Sequence, residues 1–206
     1  MNRTRRYLAI LVASLPLIAW AQPRVGEDYM VLEVPQRVEE PGKIEVVEFF
    51  WYGCIHCYNL EPGLENWVRK LPPDVRFRRI PAVLSQAWAR DAAIFYAMEA
   101  LGVLDRLHRP LYDAIHRDRL RTDKPDALNQ WLAKNGVDPK KFDETLRSFG
   151  VQSKARRAAQ LTIAYRVDGT PAMAVQGRYV VPGSTRILQT TDYLIDLVRR
   201  SPPGAR

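Results

Sequence analysis

Residues 43–58 read K-I-E-V-V-E-F-F-W-Y-G-C-I-H-C-Y, and this stretch contains both cysteines of the 206-residue chain. Residues 43–52 are rich in β-branched and aromatic side chains and lack Gly and Pro, a pattern typical of a buried strand. After Gly53, apolar side chains recur at helical spacing as far as Leu71. The sequence therefore predicts a strand followed by a helix, with Cys54 at the junction.

The cysteine pair is better explained by reactivity than by structural cross-linking. Cys54 and Cys57 would close a loop too short to remove much entropy from the unfolded chain. A structural zinc site is the main chemical alternative, and it needs four ligands. Besides His56, only His108 and His116 could supply an imidazole, and no second paired cluster is present. We therefore expect redox chemistry and no metal site.

The position of Cys54 favours a thiolate. The first amides of a helix have no intrahelical partner, and they point toward the residue that precedes the helix. The helix dipole supplies up to about 2 kcal/mol, which corresponds to about one and a half pKa units. A lower pKa therefore requires backbone hydrogen bonds to sulfur or a positive His56 nearby. His56 is equally well interpreted as a polar residue at an exposed helix start.

Glu48 lies in the middle of the predicted strand, where a buried carboxyl needs a partner or a raised pKa. A second strand is predicted over residues 75–80, and it carries Arg76, Arg78 and Arg79. If the two strands are neighbours, one arginine can face Glu48. A structural ion pair and a proton acceptor for Cys57 both fit this pattern.

The N-terminal segment has the layout of a secretory signal peptide. Three arginines precede an uncharged, mostly apolar run over residues 7–20, and Ala19-Trp20-Ala21 provides small residues for cleavage after Ala21. We therefore predict a signal peptide at residues 1–21. An uncleaved membrane anchor is the alternative, but the apolar run is short for crossing about 30 Å of hydrocarbon.

The formal net charge of +8 comes from dispersed arginines and not from a basic cluster with interleaved aromatics. We interpret it as a contribution to solubility and expect no nucleic-acid partner, in particular for a secreted chain. Length and the lack of repeats predict one domain with an insertion.

Two segments resemble the thiol:disulfide interchange protein DsbA family. Residues 48–58 are similar to its active-site stretch, and residues 169–173, G-T-P-A-M, are similar to its cis-proline segment. The two occur in the expected order, and the resemblance covers essentially all of the chain after the predicted signal peptide. Ile55 stands where the best-known members have proline, and Gly53 where they often have an aromatic residue. Because of Ile55, the resemblance does not determine the value of the redox potential, but it still determines the type of reaction.

The resemblance implies an α/β fold, namely a thioredoxin fold with an inserted α-helical domain. We expect the thioredoxin part at residues 22–84 and 166–206, and the helical insertion at residues 85–165. The residues support this division, because the insertion is almost free of strand signals and the strands flank it. The predicted elements include helices over 126–135 and 139–149 ending at Gly136 and Gly150, an N-cap at Asp138, strands over 172–175 and 178–181, and a closing helix over 191–200.

The resemblance also assigns the substrate site. An X-Pro bond is ordinarily trans, but the family implies a cis bond before Pro171, which leaves the Thr170 backbone free to pair with an extended substrate segment. Of the nearby aromatics, Trp51, Tyr52 and Tyr58, most are expected in the core.

The implied reaction is thiol exchange in the periplasm. A substrate thiolate attacks Cys54 in the oxidised protein, Cys57 leaves, and a second substrate thiol resolves the mixed disulfide. The substrates would be reduced secreted or periplasmic proteins. The resemblance further implies reoxidation by a DsbB-like, quinone-linked membrane oxidase, and no bound cofactor. We expect a monomer, because only about twenty residues lie between the predicted cleavage site and the first strand, too few for a dimerisation domain.

Two alternatives stay open on the same residues. A disulfide isomerase or reductase would use the same fold, although isomerases carry an N-terminal dimerisation domain, for which little sequence precedes the first strand. A peptide-binding chaperone or a metal-delivery module would work without the redox reaction. Its activity would survive replacement of both cysteines, or it would bind metal stoichiometrically.

Overall fold

The computed structural model describes residues 22–201, so the predicted signal peptide and its cleavage site lie outside the described residues. Within this range a five-stranded sheet has the order β1-β5-β4-β2-β3. No helix in the same range is long and apolar enough to cross a bilayer. The strands are β1 Met30–Val31, β2 Ile44–Phe50, β3 Val75–Pro81, β4 Ala172–Val175 and β5 Tyr179–Pro182. The helices are α1 Ile55–Val68, α2 Gln86–Ala100, α3 Leu104–His116, α4 Pro125–Lys134, α5 Pro139–Leu146, α6 Phe149–Ala164 and α7 Ile187–Arg200.

Strand β2 is an interior strand of the sheet, between β4 and β3, and leads into the loop that carries Cys54. It runs parallel to β3 and antiparallel to β4, and all seven of its residues are buried. Val46 packs with residues of α1 and α7 on one face, whereas Val47 and Phe49 pack with residues of α6 on the other. Burial on both faces explains the nearly continuous apolar run, and the predicted strand is confirmed with slightly shorter ends.

Helices α2 to α6 follow β3 and precede β4, and they enclose an apolar core of their own. Ile94, Met98, Leu111, Leu132 and Phe142 are buried in it together with Cys57. The second cysteine therefore lies where the sheet meets the helical segment.

One predicted helix boundary is wrong. Residues 139–149 do not form one helix, because α5 ends at Leu146 and α6 begins at Phe149. The Ser148 side chain accepts a hydrogen bond from the Val151 amide at 3.4 Å and caps α6. Gly150 consequently lies in the first turn of a new helix and does not terminate the old one. The predicted N-cap Asp138 and the left-handed Gly136 after α4 are confirmed.

The C-terminal part completes the sheet. Strands β4 and β5 form a hairpin whose turn residues, Gln176 and Gly177, both have positive φ, as a type I′ turn requires. The closing helix α7 begins at Ile187, four residues before the predicted start at Thr191.

Candidate active site

Cys54 is the N-cap of helix α1, and Cys57 lies one turn inside the same helix. The Cys57 amide donates a hydrogen bond to Cys54 Sγ at 3.4 Å. Both are free thiols, but Cys54 is half-buried whereas Cys57 is fully buried. Only Cys54 is therefore accessible to another protein.

The two thiols have opposite electrostatic surroundings. Hydrogen bonding from the Cys57 thiol, with smaller contributions from Thr170 and the Cys57 and His56 amides, lowers the pKa of Cys54 to about 5. Burial raises the pKa of Cys57, and the hydrogen bond to Cys54 and the charge of Glu48 act in the same direction. At neutral pH the pair therefore carries a thiolate on Cys54 and a proton on Cys57.

The segment before β4 lies against the accessible cysteine. The Thr170–Pro171 peptide bond is cis, as the resemblance implied. The Cys54 thiol lies 3.2 Å from the Thr170 carbonyl oxygen, to which it donates when protonated. When Cys54 is ionised it no longer donates to this carbonyl, and the Cys57 thiol and the amides of Cys57 and His56 stabilise the ionised sulfur.

A groove runs from the cis-proline segment beside Cys54 along helices α1 and α7. Its volume is about 890 Å³. The Trp67 indole donates a hydrogen bond of 2.7 Å to Asp192 and joins the two helices across it. His56 is exposed and lines the groove, so its side chain faces solvent and the groove. The other lining residues include Leu60, Thr170, Pro171, Ile187 and Leu188.

Glu48 is completely buried beneath the pair, and its partner is Arg79. Arg79 Nε lies 3.0 Å from Glu48 Oε2. Arg78 pairs with Glu45 instead, and Arg76 pairs with Glu40 near the surface. Burial raises the pKa of Glu48 to about 8, against the opposing effect of Arg79.

Three further residues complete a buried polar set that we call the base network: Glu48, Arg79, Glu61, His108 and Tyr52. Arg79 Nη2 donates to Glu61 Oε1 at 2.6 Å, and the Tyr52 hydroxyl lies 2.8 Å from His108 Nδ1. All are buried except for part of Arg79.

Sequence reasoning missed Glu61 in this set and considered His108 only as a possible zinc ligand. A signal for Glu61 was present, because it shares helical spacing with Cys57 and Leu64, the other buried residues of α1. A carboxylate on the buried face of a helix requires a partner. The partner of His108 lies on another element, which spacing along the chain does not reveal.

Helix α3 holds the active-site loop from the helical side. His116 Nε2 lies 2.8 Å from the Tyr52 carbonyl oxygen, and its ring stacks on Tyr58 with centroids 4.8 Å apart. The Tyr58 hydroxyl donates to Asp113 at 2.9 Å. The backbone immediately before the cysteines is thereby fixed to the helical segment.

Trp51 covers Gly53 beside Cys54. The Trp51 ring stacks on Trp88 with centroids 4.5 Å apart, and its indole nitrogen donates to Asp91 at 2.7 Å. A Cβ atom on residue 53 would overlap the Trp51 ring. This contact explains why glycine stands at residue 53, where members of the family often have an aromatic residue. The aromatic surface beside the cysteine comes from Trp51, and a side chain at residue 53 has no room.

Among residues 22–201, no group of three or more His, Cys, Asp and Glu side chains is arranged to hold a metal ion. A C-x-x-C pair of free thiols with opposite pKa shifts, at a helix start next to a cis-proline, defines the active site of a thiol:disulfide oxidoreductase of the thioredoxin type.

The chain belongs to the DSBA-like thioredoxin domain family, whose model matches residues 45–194. It is 41% identical over 184 residues to the thiol:disulfide interchange protein DsbA of Azotobacter vinelandii, covering 87% of this chain and 86% of the relative. The identity is 40% over 179 residues to the DsbA of Pseudomonas aeruginosa, covering 84% of this chain and 85% of that protein.

Solved structures agree. The crystal structure of Pseudomonas aeruginosa DsbA is 40% identical, with a TM-score of 0.79, and the alignment covers 84% of this chain and 93% of that one. The oxidoreductase DsbA from Xylella fastidiosa is 35% identical, with a TM-score of 0.82, and the alignment covers 87% and 99% of the two chains. The predicted fold class and reaction class are confirmed.

Proposed function

We propose that this protein acts as an oxidase, which introduces disulfide bonds into reduced secreted proteins. The observation that carries this direction of electron flow is the lowered pKa of Cys54, about 5. A stable thiolate favours the reduced protein, so the disulfide form gives up its oxidising equivalents readily. Each pKa unit below ambient pH raises the potential by about 30 mV, less where solvent screens a half-exposed sulfur.

The exchange proceeds in two displacements. A substrate thiolate attacks Cys54 Sγ, the Cys54–Cys57 bond breaks, and its electron pair leaves on Cys57. A second substrate thiolate then attacks the substrate sulfur of the mixed disulfide, and Cys54 leaves as a thiolate. The substrate loses two electrons and gains a disulfide, and the protein ends with both cysteines reduced.

Glu48 serves Cys57 as proton donor and acceptor in this proposal. Cys57 leaves as a poorly stabilised thiolate and must take up a proton, which a protonated Glu48 can deliver directly or through water. Reoxidation reverses the transfer, because Cys57 must then lose its proton to attack the mixed disulfide at Cys54. A carboxyl with a pKa near 8 is suited to both directions. His56 is proposed to tune Cys54 through its position between the two cysteines.

Thr170 and Pro171 form the proposed substrate site. Both line the groove next to Cys54. An extended substrate segment would pair with the Thr170 backbone by strand addition, and its apolar side chains would lie against Leu60 and Leu188.

Location and partners follow from the family and the predicted signal peptide. We infer a periplasmic, monomeric protein with residues 1–21 removed. A DsbB-like membrane oxidase would reoxidise the cysteine pair and pass the electrons to quinone. The proposed reaction supports a periplasmic location, because disulfide bonds persist in that compartment.

The reduction potential tests the proposal. The purified protein is equilibrated with glutathione buffers, and its redox state is followed by tryptophan fluorescence, with Trp51 close to the pair. We expect a value well above the approximately −270 mV of thioredoxin. A thioredoxin-like value would mean that the protein reduces disulfides, with the same fold and the same cysteines.

A further inference from the structure

His108 is a buried imidazole on helix α3 that takes no part in the steps above. Its Nδ1 lies 2.8 Å from the Tyr52 hydroxyl, and its Nε2 lies 3.5 Å from Glu61 Oε1. A neutral imidazole has one donor and one acceptor nitrogen. Since a carboxylate only accepts, the proton belongs on Nε2, and Nδ1 accepts from Tyr52. Tyr52 therefore fixes the tautomer that directs an N–H at Glu61.

Glu61 and Glu48 share one cation. Arg79 lies 2.6 Å from Glu61 through Nη2 and 3.0 Å from Glu48 through Nε. If both buried carboxyls were ionised, one negative charge would be left uncompensated in a medium of low polarity. The pair therefore retains one proton near neutral pH, and the two carboxyls titrate as a coupled unit.

The contacts decide which carboxyl holds this proton. Glu61 has the shorter contact to Arg79 and also faces His108, whereas Glu48 contacts Arg79 alone and at a longer distance. Each carboxyl has one oxygen without a hydrogen-bond partner among the described residues. Burial raises the pKa of Glu48. Burial also acts to raise the pKa of Glu61, but the interactions with His108 and Arg79 outweigh it and lower that pKa. The proton therefore resides on Glu48.

We propose that His108 is a positioning residue for the thiol exchange: its Nε2–H stabilises the Glu61 carboxylate and so keeps the shared proton on Glu48, the carboxyl that serves Cys57. The inference rests on the proposed role of Glu48. It gives the helical segment a part in proton transfer at a site otherwise built on the sheet and helix α1.

The surroundings of His108 determine its charge and the size of its effect on Glu61. At 3.5 Å the contact to Glu61 is longer than a full hydrogen bond, so His108 acts as a nearby dipole and its effect is moderate. Burial lowers the pKa of His108, which keeps the ring neutral. The titratable and charged groups facing the ring are Tyr52 after β2, Glu61 and Glu65 on α1, Arg79 on β3 and Tyr112 on α3, while α2 contributes the uncharged Phe95.

The test follows closure of the Cys54–Cys57 disulfide, the step in which Cys57 loses its proton. The reduced protein is mixed with saturating oxidised glutathione from pH 5 to pH 9, and first-order closure is followed by tryptophan fluorescence. In the wild-type protein the rate should rise with a midpoint near the Glu48 pKa of about 8. In His108→Leu, Glu61 takes a larger share of the proton, so the midpoint should move down by about one pH unit.

His108→Gln is the matched control, because its amide both donates and accepts as the neutral imidazole does. The pH midpoint of its closure rate should equal that of the wild-type protein. A His108→Leu profile that superimposes on the wild type, or a His108→Gln profile that moves as far as that of His108→Leu, would overturn the inference. The Cys54 pKa, read from thiolate absorbance, should stay at about 5 in both variants.

Two further variants separate the possible failures. Glu48→Gln should abolish the midpoint; if it leaves the profile unchanged, the proposed role of Glu48 is wrong. If Glu48→Gln abolishes the midpoint but His108→Leu does not shift it, only the role of His108 is wrong. Should His108→Leu not fold, Tyr52→Phe decides: loss of the fixed tautomer should shift the midpoint down by a smaller amount, and an unmoved midpoint rejects the inference.

Discussion

Cys54 is partly exposed and lies beside the groove, against Thr170, whereas Cys57, one turn further along α1, faces the buried base network. The open side offers backbone amides, which stabilise a thiolate at the start of the helix. The closed side has low polarity, and burial is the main reason why Cys57 stays protonated; Glu48 acts in the same direction once it is ionised. The comparison shows how two identical side chains acquire different roles: a helix start separates the exposed N-cap from the buried face within one turn.

The largest effect should come from removing the thiol on the closed side. Cys57→Ser cannot release a substrate from Cys54 by internal attack. When its Cys54 is first converted to a mixed disulfide with glutathione, thiols of reduced secreted proteins should displace glutathione. They should stay attached wherever the substrate has no second thiol within reach to resolve the mixed disulfide. Non-reducing gels and mass spectrometry would identify these complexes. Cys54→Ser is the control and should form none; the absence of complexes with Cys57→Ser would contradict the proposed exchange.

On the closed side, Arg79→Met should cause the largest loss in free energy of unfolding. It leaves Glu48 and Glu61 buried without their cation, and breaking such a pair costs about 3–5 kcal/mol in free energy of unfolding. The loss should grow as the pH rises, since both carboxyls then have raised pKa values and the folded state binds more protons than the unfolded state. Urea unfolding at several pH values measures both effects.

Arg76→Met on the same strand is the control for this variant. Its partner Glu40 is exposed, so its replacement should change the free energy of unfolding by less than about 0.5 kcal/mol. Equal losses in the two variants would show that the base network is no more important to stability than a surface pair.

On the open side, Gly53→Ala should disturb the covering of Cys54. The added methyl overlaps Trp51, which must give up its stacking on Trp88 and its hydrogen bond to Asp91. We expect a loss of about 1–3 kcal/mol together with altered tryptophan fluorescence. Gly63→Ala in α1 meets no atom within 4 Å and should instead stabilise by about 0.5–1 kcal/mol. If Gly53→Ala leaves the free energy of unfolding unchanged, Trp51 is not fixed over the loop.

The smallest effect is expected for Ile55→Pro. Ile55 is the first residue of α1, where proline costs no helical hydrogen bond, and Cys54 already has the extended conformation that a following proline favours (φ −85°, ψ 114°). The free energy of unfolding should rise by up to about 1 kcal/mol. The Cys54 pKa should change by less than about one unit, because the amides of Cys57 and His56 are kept. A larger shift in a thiolate titration would assign Ile55 a direct role in setting the potential.

Most errors of sequence reasoning fell where local patterns are ambiguous. The helix over 139–149 was predicted to end at Gly150 and α6 was not predicted, because a serine such as Ser148 signals a cap only when the chain turns there. In contrast, β2 and α1 were predicted closely, since the change from β-branched residues to helical spacing at Gly53 is abrupt. Arg79 could not be selected from among three arginines, because the choice depends on strand register.

What the sequence determined by itself is local: the buried strand, the helix that begins after Cys54, the reactive pair, and a carboxyl at Glu48 that required a partner. Each follows from the order of residues along one or two turns or strands. The tertiary structure decided which groups from distant elements meet. It placed Thr170 against Cys54, Arg79 between two carboxyls, and His108 at Glu61. These groups meet because they are buried in a shared core, and not because they are close along the chain.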